Sequence, residues 1–431
     1  MLGPVPLKAL NPAEREKLLT RSSLGIESVK ARVDEILRGV KQRGDKALVE
    51  YTALFDKVKL EPSEIRVSED EVKAAYEKTP EKLISALRST AASLEVYHRA
   101  QMPPNTAPVQ TREGVSLRDI WRPITTVGAY APRRLPSTCL MITVPGKVAG
   151  VQRMIACTPP SPERKLESVM LTALDMGGVD AIYRVGGAQA VAAMAYGTET
   201  VPRVEKIVGP GNIYVTAAKL LIQGLVGTDL PAGPSEILIL ADETADPSIV
   251  ALDLLSQLEH GKVSASESYA ALVTTSRKLA SKVAQSLAEL VSGRDAESSR
   301  AERLGENISI LTCEGINEAV AFVNAYAPEH LEVIAENPES ILSKVNNAGS
   351  VFIGPFSPAA AGDYATGANH VLPTGGAARF TSGLSVYDYM KRITVQEVTR
   401  GGLAKMLDLV AALAEAEGLR RHVEAVRARV R

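Results

Sequence analysis

The fold class is predicted most directly by residues 180–225, DAIYRVGGAQAVAAMAYGTETVPRVEKIVGPGNIYVTAAKLLIQGL. Its short apolar runs DAIYRV and VEKIVG predict buried strands, and each run is followed by a glycine-rich turn and an apolar helix. Strand, turn and helix in this order are typical of parallel βαβ winding. We therefore predict an α/β fold built on parallel sheet.

The same alternation continues in both directions. The runs TTVGAY and QRMIACT predict strands before the quoted stretch, and a second series of strands follows the turn at 231–234, with EILILAD, AALVTTS, NISILT, LEVIA and SVFIG separated by helices. Residues 26–105 and the chain beyond about residue 380 carry helical spacing of apolar residues. Two wound sheets with helical ends are the simplest interpretation.

The length and the charge of the chain limit the kinds of partner that we expect. A chain of 431 residues is too long for one ordinary core, and its 49 basic and 50 acidic residues nearly cancel. This balance removes the electrostatic reason to expect nucleic acid or an anionic membrane as a partner. The sequence also contains no apolar run of the roughly 20 residues that span a bilayer, and we expect no export signal at its start.

The three cysteines, Cys139, Cys157 and Cys313, are widely separated. Their spacing indicates neither a disulfide framework nor a thiolate zinc site. A reducing compartment fits this cysteine usage best. We therefore expect a cytoplasmic protein whose partners are small molecules or other proteins.

Nucleotide binding has no standard signature in this sequence. No GxGxxG pattern follows a predicted strand, so a dinucleotide would have to bind at other strand-to-helix turns, such as 186–189 or 209–212. Glycines after a strand are more often required by turn geometry than by a phosphate. Taken alone, these turns favour the structural interpretation.

Gln257 and His260 are candidate metal ligands. They lie three residues apart near the end of a predicted helix, so their side chains share one face, and Gly261 offers a helix stop. A histidine near a helix C-terminus is also favoured by the helix dipole alone. Spacing by itself favours this second interpretation.

A carboxylate and an imidazole occur together at Glu329 and His330, after a proline that should end a helix and before an apolar strand. Such a pair is suited to proton transfer near neutral pH, although an isolated dipeptide is weak support. Asp363 and His370 lie in a glycine-rich segment, where Asp363 either faces a cavity or stabilises the loop.

His422 lies five residues after Glu417 in a basic terminal helix. Together Gln257, His260, Asp363 and His422 form a plausible nitrogen and oxygen shell for Zn²⁺, with positions left for a substrate. The terminal helix is equally consistent with an ordinary solvated surface. Sequence alone does not show that these residues converge.

At these motifs the sequence resembles the histidinol dehydrogenase family. The resemblance extends from roughly residue 20 to the C-terminus, and its segments occur in family order: GGAQAVAAMAYGTE, VGPGNIYVT, LPAGPSE, LLSQLEHG, AYAPEHLE, AGSVFIG, SPAAAGDYATGANHVLPTGGAARFTSGLSVYDY and KRITVQEV. So many ordered segments are not a chance match.

The resemblance implies an α/β fold with two incomplete Rossmann-like, doubly wound domains and small helical N- and C-terminal extensions. It implies an N-terminal extension (1–25), a discontinuous first domain with the metal and acid/base motifs (26–126 with 236–380), a second, nucleotide-binding domain (127–235) and a helical C-terminal segment (381–431). The C-terminal segment would be exchanged across a homodimer, so that Glu417 and His422 complete the partner's site.

The resemblance also implies the residue roles. Glu329 and His330 would be the catalytic acid/base pair. One zinc ion per subunit would be bound by Gln257, His260, Asp363 and His422. NAD would contact Tyr130, Gln189 and Asn212. The substrate would contact Ser235, Gln257, His260, His330, Asp363, His370, Glu417 and His422.

These roles fit a double oxidation of L-histidinol, through L-histidinaldehyde, to L-histidine, the last step of histidine biosynthesis. Zinc would anchor the substrate's nitrogens, Glu417 would offset its ammonium charge, and His330 would take the hydroxyl proton as hydride leaves for NAD. Glu329 would then activate water for the second oxidation. No thiol intermediate is required, and none of the site motifs contains cysteine.

Two segments depart from the family pattern. Where the family usually has a Gly-Gly pair and a longer loop, Arg133 and Arg134 run almost directly into Pro136. These arginines would clamp an extra phosphate, accept an anionic substrate or lie in solvent. After Gly261, residues 262–267 replace a shorter family segment that usually opens with Pro-Asp.

Two other functions remain open at this point. A relative that oxidises another alcohol, such as a sulfonated propanediol, is slightly favoured by the two arginines, whereas Glu417 would repel a sulfonate. A non-catalytic homologue whose zinc only stabilises an assembly would have no need of Glu329 and His330.

Overall fold

The structure is a computed structural model that describes residues 3–21, 25–229, 233–264, 268–292 and 307–431; within these ranges the side chains of 260–264 and 292 are not described. The strands of the described residues are β1 (Val5–Pro6), β2 (Val109–Arg112), β3 (Val115–Pro123), β4 (Thr126–Tyr130), β5 (Arg153–Cys157), β6 (Ala181–Tyr183), β7 (Lys206–Val208), β8 (Gly227–Thr228), β9 (Glu236–Ala241), β10 (Tyr269–Thr274), β11 (Ile308–Thr312), β12 (His330–Ile334), β13 (Ser350–Ile353) and β14 (Met390–Val398).

Helices connect most of these strands. In chain order they are α1 (Pro12–Leu19), α2 (Ile26–Arg43), α3 (Asp45–Tyr51), α4 (Glu69–Lys78), α5 (Glu81–Ala100), α6 (Pro136–Ala149), α7 (Ser168–Met176), α8 (Gly187–Tyr196), α9 (Ile213–Leu221), α10 (Pro247–Ser264), α11 (Arg277–Ser292), α12 (Ile316–Tyr326), α13 (Pro338–Leu342), α14 (Ala359–Tyr364), α15 (Arg400–Ala416) and α16 (Arg420–Val430).

Two all-parallel sheets confirm the predicted α/β class. The first has six strands in the order β1-β11-β10-β9-β12-β13, and the second has five in the order β6-β5-β4-β7-β8. The central strand β9 is buried along its whole length, as expected for EILILA covered by helices on both faces. The molecule therefore consists of two incomplete Rossmann-like units with extensions at both termini.

The connections reverse direction at the middle of each sheet. In the second sheet, β4 leads outward through β5 and β6, and the chain then returns to pair β7 on the other side of β4. In the first sheet, β9 leads outward through β10 and β11 before β12 pairs with the opposite edge of β9. In the second sheet this point leaves a crevice at the carboxyl ends of β4 and β7, the position at which α/β proteins bind ligands.

The hydrophobic cores group the N-terminal helices with the second sheet. Side chains of α2 pack on α8 and α9, and those of α4 and α5 pack against α6 and α7. The predicted grouping of 26–126 with 236–380 differs from this packing, because the apolar faces of these helices meet the small side chains of α8 and the apolar surface of α6. The domain boundaries as such remain a prediction.

The C-terminal segment is not wholly helical as predicted. β14 pairs antiparallel with β3 along its full length, and β2 completes a three-stranded sheet. Two further differences are local. α10 continues through Gly261 to Ser264, so this glycine does not end the helix, and β1 joins the N-terminal extension to the first sheet by pairing with β11. Among the described residues no helix is long and apolar enough to cross a membrane.

Candidate active site

Glu329 lies at the turn between α12 and β12. α12 ends at Tyr326, and Ala327 follows it in the left-handed conformation at φ 49°. The Glu329 carboxylate is buried and its Oε2 accepts hydrogen bonds from the Ser235 hydroxyl at 2.7 Å and from the backbone N–H of Glu236 at 2.8 Å. The side-chain amide of Gln257 donates in turn to the Ser235 hydroxyl at 2.6 Å. Three predicted site residues therefore form one chain of hydrogen bonds.

His330 is the first residue of β12 and is buried. Its Nδ1 lies 3.1 Å from the carbonyl oxygen of Glu236. Because a carbonyl only accepts, Nδ1 carries the proton in this arrangement, and Nε2 of the neutral ring is an acceptor. Nε2 has no hydrogen-bond partner within the described part of the chain and lies 3.6 Å from Oδ1 of Asp363.

The electrostatic environment of His330 is strongly acidic. Burial lowers the pKa of His330, but the carboxylates of Glu329 and Asp363 raise it more, so its pKa lies well above the ordinary value. The imidazole also stacks on the ring of Phe352, with centroids 5.9 Å apart. The ring is therefore fixed in orientation, with one nitrogen aimed at a buried carboxylate.

Asp363 and His370 face the junction between the two sheets. The His370 Nδ1 lies 2.9 Å from the backbone carbonyl of Asp363, and its Nε2 lies 2.9 Å from the hydroxyl of Thr138 at the start of α6. Since α6 follows β4 of the second sheet, His370 links the acid/base site to the other parallel unit. Both ring nitrogens of His370 thus have protein partners in this structure.

A buried carboxyl pair lies behind His330 and was not found from the sequence. Glu332, two residues further along β12 and on the same face, accepts a hydrogen bond from the backbone N–H of Ala359 at 2.7 Å. Asp253 of α10 hydrogen-bonds to its carboxyl group, and burial raises the pKa of both groups. The pair therefore connects the elements that carry Gln257, His330 and Asp363. The only sequence signal was a glutamate in an otherwise apolar strand.

The predicted C-terminal site residues are not brought to this cluster within one chain. Glu417, at the end of α15, and His422, on α16, are exposed, and no hydrogen bond or ion pair of the described residues joins either of them to the cluster. The side chain of His260 lies outside the described residues. Across the described part of the chain, no group of three or more His, Cys, Asp or Glu side chains is arranged to hold a metal ion.

The predicted nucleotide residues lie at the carboxyl edge of the second sheet. Tyr130 ends β4, Gln189 is in the first turn of α8, and Asn212 caps α9 by accepting hydrogen bonds from two backbone N–H groups. The Tyr130 hydroxyl accepts a hydrogen bond from the backbone N–H of Gly187 at 3.1 Å. Tyr130 and Asn212 follow β4 and β7, the two strands at which this sheet reverses direction.

Gln189 and Asp56, near this edge, carry polar atoms without partners in the described part of the chain. The side-chain amide of Gln189 is buried, and neither its oxygen nor its nitrogen has a hydrogen-bond partner in the described ranges. Oδ2 of Asp56, a carboxylate that interacts electrostatically with Tyr130 and Arg133, is also without a described partner. Buried polar groups are seldom left unsatisfied, so these atoms point to a polar ligand or water.

Arg133 and Arg134, in the loop that differs from the family pattern, both contact nearby residues. Arg133 donates to the carbonyl of Pro160 at 3.3 Å, and Nε of Arg134 lies 3.4 Å from the Glu167 carboxylate. Arg134 is largely exposed and has φ 63°. These contacts give both guanidinium groups protein partners. Of the second departing segment, residues 265–267 lie outside the described residues.

Comparison with known proteins identifies relatives over nearly the whole chain. The family model described as histidinol dehydrogenase matches residues 19–430. The histidinol dehydrogenase of Methanothermobacter thermautotrophicus is 46% identical over 96% of this chain and 96% of its own, and that of Methanosarcina barkeri is 44% identical over 98% and 96%. The crystal structure of the histidinol dehydrogenase from Elizabethkingia anophelis superposes with a TM-score of 0.91 at 39% identity, covering 98% of this chain and 96% of that one.

Proposed function

Because the chain belongs to the histidinol dehydrogenase family, we propose that it oxidises L-histidinol to L-histidine through L-histidinaldehyde, with two hydride transfers to NAD. One observation carries this proposal: His330 is held through Nδ1 by the Glu236 carbonyl while Nε2 is open beside Asp363. This is the geometry required of a base that accepts a proton from a bound alcohol.

His330 takes a proton in each oxidation. In the first, Nε2 would accept the hydroxyl proton as the neighbouring C–H bond breaks and hydride passes to NAD⁺, and it would release this proton to solvent before the second oxidation. In the second, addition of water would give the aldehyde hydrate, whose hydroxyl proton would pass to Nε2 and whose hydride would pass to a second NAD⁺. The product is the carboxylic acid, which ionises to the carboxylate. Glu329 activates that water and is positioned for the task by Ser235 and the Glu236 backbone.

The donor set fits zinc. Asp363 is buried beside His330, and a buried carboxylate is stabilised by a cation. Gln257, His260 and Asp363, with His422 of the partner subunit, offer the nitrogen and oxygen donors that Zn²⁺ accepts. When bound, zinc anchors the amino and imidazole nitrogens of the substrate and offsets the carboxylate charge that raises the pKa of His330.

Substrate recognition extends from this cluster to the other predicted contacts. Ser235, Gln257 and His370 line one side of the substrate, and Glu417 of the partner subunit offsets its ammonium charge. The exposed position of Glu417 and His422 within one chain agrees with their use across a homodimer. Exposed apolar side chains on the same segment, among them Leu409, Leu413 and Leu419, are suited to that contact.

NAD binds at the carboxyl edge of the second sheet in this proposal. The reversal point between β4 and β7 supports this position, and the unpaired Gln189 amide at the start of α8 supplies a polar group for the cofactor. Tyr130 and Asn212 lie at the same edge. The unpaired state of all three cysteines agrees with the cytoplasmic location that we infer.

The direct test compares alcohols. Purified, zinc-loaded protein is assayed for reduction of NAD⁺ and NADP⁺ with L-histidinol and with a sulfonated propanediol. With either nucleotide we expect kcat/KM for L-histidinol to exceed that for the sulfonated propanediol by roughly 100-fold or more, since a site built for nitrogen ligands leaves a sulfonate unpaired. The local partners of Arg133 and Arg134 give no support to an anionic alcohol. A preference for the sulfonate would overturn the assignment.

A further inference from the structure

Arg21 is a buried arginine immediately behind the acid/base pair. It follows α1, its side chain is 4% exposed, and its guanidinium carbon lies over the ring of Tyr326, 3.2 Å from the ring centroid. Nη2 donates to the carboxylate of Glu236 at 2.6 Å and to the backbone carbonyl of Tyr326 at 3.1 Å. Arg21 therefore joins two segments that are distant in the sequence.

Glu236, the first partner, fixes both members of the pair through its main chain. Its N–H donates to Glu329 and its carbonyl accepts from His330. Its own carboxylate is fully buried, and burial raises the pKa of Glu236 to about 7 although Arg21 opposes the shift. Without Arg21 this carboxylate would have no cation among its described partners, and the start of β9 would lose its side-chain link to the turn at Tyr326.

Tyr326, the second partner, begins the turn that leads into the pair. Ala327 is buried and has φ 49°, a left-handed conformation that alanine seldom adopts. Such a conformation persists only when surrounding contacts enforce it. The Arg21 guanidinium supplies one of these contacts, since it binds the Tyr326 carbonyl immediately before the strained residue.

We propose that Arg21 is a positioning residue for the reaction, and this inference rests on the proposed function. By binding the Glu236 carboxylate and the Tyr326 carbonyl together, it keeps the backbone of Glu236 aligned with the turn that carries Glu329 and His330. It touches neither imidazole nor substrate. A planar, forked guanidinium that also stacks on an aromatic ring suits this task, and a lysine ammonium does not reproduce it.

A purely stabilising role is a poor explanation of this ion pair. Removing two charges from water costs about as much as their attraction returns, so buried ion pairs are weak contributors to net stability. In some proteins such pairs instead select one arrangement of the surrounding groups, and we assign that role to this pair. The arrangement selected here is the one that protonates Nδ1 of His330 and leaves Nε2 as acceptor.

The kinetic test compares Arg21→Met and Arg21→Lys with Arg38→Met, whose guanidinium forms an exposed ion pair with Asp34. We expect kcat to fall roughly 10- to 100-fold in Arg21→Met and less in Arg21→Lys, because small misplacements of reacting groups have effects of this size. KM for both substrates and the zinc content should stay within about twofold of the parent protein. Arg38→Met should match the parent. An unchanged kcat in Arg21→Met would overturn the proposal.

A second measurement does not depend on turnover. The imidazole nitrogen shifts of His330, assigned by comparison with His330→Gln in ¹⁵N-histidine-labelled protein, report which ring nitrogen carries the proton. The spectra are recorded on zinc-loaded protein at a pH above the pKa of His330, where the ring is neutral. We expect the Nδ1-protonated form in the parent and a mixture of tautomers in Arg21→Met. If the parent protein shows the Nδ1-protonated form but does not turn over histidinol, the proposed function is wrong and the positioning role is not affected. An unchanged tautomer in folded Arg21→Met would contradict the positioning role alone.

Discussion

At the residue scale, the two ring nitrogens of His330 have different neighbours. The Glu236 carbonyl fixes Nδ1 of His330, and the buried carboxylate of Asp363 faces Nε2. The hydrogen bond sets the tautomer, and the tautomer decides which nitrogen accepts a proton. The chemistry of the site thus depends on a backbone atom that no side-chain pattern reveals.

His330→Asn tests this division of roles. The asparagine amide can still donate to the Glu236 carbonyl, but it cannot accept a proton as a base. We expect kcat to fall by roughly 100- to 10,000-fold with the zinc content unchanged, measured by steady-state kinetics and metal analysis. His98→Asn is the control, because His98 is buried next to Gln101 away from the site. Full activity in His330→Asn would rule out the base role.

Asp56 gives a pH-dependent prediction. Burial raises the pKa of Asp56 to about 6, with Arg133 opposing the shift. The fold therefore disfavours the ionised carboxylate. This penalty is absent below the unfolded pKa, grows as the pH rises toward 6 and persists above it. The stability of the parent protein is thus lowered by this group at neutral pH.

Asp56→Asn should relieve the penalty. We expect its melting temperature, relative to the parent without cofactor, to be higher by roughly 1–3 °C at pH 7.5 than at pH 4.5, measured by calorimetry. Asp70→Asn, at an almost fully exposed position, should show no such difference. Equal shifts of Asp56→Asn at both pH values would show that the carboxylate is not disfavoured in the fold.

At the element scale, a buried ion pair holds the turn before α9. The Lys219 ammonium contacts both the carboxylate of Asp229 and the carbonyl of Gly209, and the other Asp229 oxygen accepts from the Gly209 N–H at 2.6 Å. Gly209 itself has φ 112°, and a Cβ there would lie 2.1 Å from the carbonyl oxygen of Tyr130. The turn that carries Asn212 is therefore fixed from both sides.

Asp229→Asn should weaken this turn. It leaves a buried ammonium without its carboxylate, which we expect to lower the free energy of unfolding by roughly 3 kcal/mol and to raise KM for NAD⁺ several-fold. Urea unfolding and steady-state kinetics measure the two effects. Lys8→Met removes an exposed ion pair with Glu314 and serves as the control. An unchanged KM for NAD⁺ would show that this turn does not take part in cofactor binding.

The elements that the sequence predicts correctly are those with one dominant local signal. β9 and β12 are apolar runs bounded by turn residues, and α11 has regular apolar spacing. β14 has no such signal because most of its side chains are exposed and its partner β3 lies more than 250 residues away in the sequence. Strand pairing over that distance is not encoded in a local pattern.

The candidate site shows the same limit. Ser235, Gln257, Glu329, His330, Asp363 and His370 were predicted, and the structure brings them together. Arg21 and Glu236 were not, since their contact joins positions 215 residues apart and the key atoms of Glu236 belong to the backbone. A charged residue at the start of an otherwise apolar strand was the one available clue.

At the scale of the whole molecule, the predicted acid/base pair and the predicted nucleotide residues lie on different sheets. The acid/base pair lies at the amino ends of β9 and β12, whereas Tyr130 and Asn212 lie at the carboxyl ends of β4 and β7. His370 and Thr138 connect the two units. In the proposed function, the predicted C-terminal residues reach this junction from a second copy of the chain.

Mixing two inactive variants tests the shared site. In a mixed dimer of one His330→Asn subunit and one His422→Asn subunit, one of the two sites has both an intact His330 and an intact His422 of the partner subunit. Random exchange of subunits should therefore restore about a quarter of the parent activity. Co-purification of one variant with an affinity-tagged form of the other checks that mixed dimers form. If each chain builds its own site, the mixture stays inactive.

The double oxidation and its need for zinc are tested together by the ratio of NADH formed to histidine produced, before chelation, after chelation and after zinc is restored. We expect two NADH for each histidine, loss of turnover on chelation and its return with zinc. A ratio of one, with histidinaldehyde as the product, would contradict the double oxidation. Full turnover by metal-free protein would contradict the role assigned to zinc.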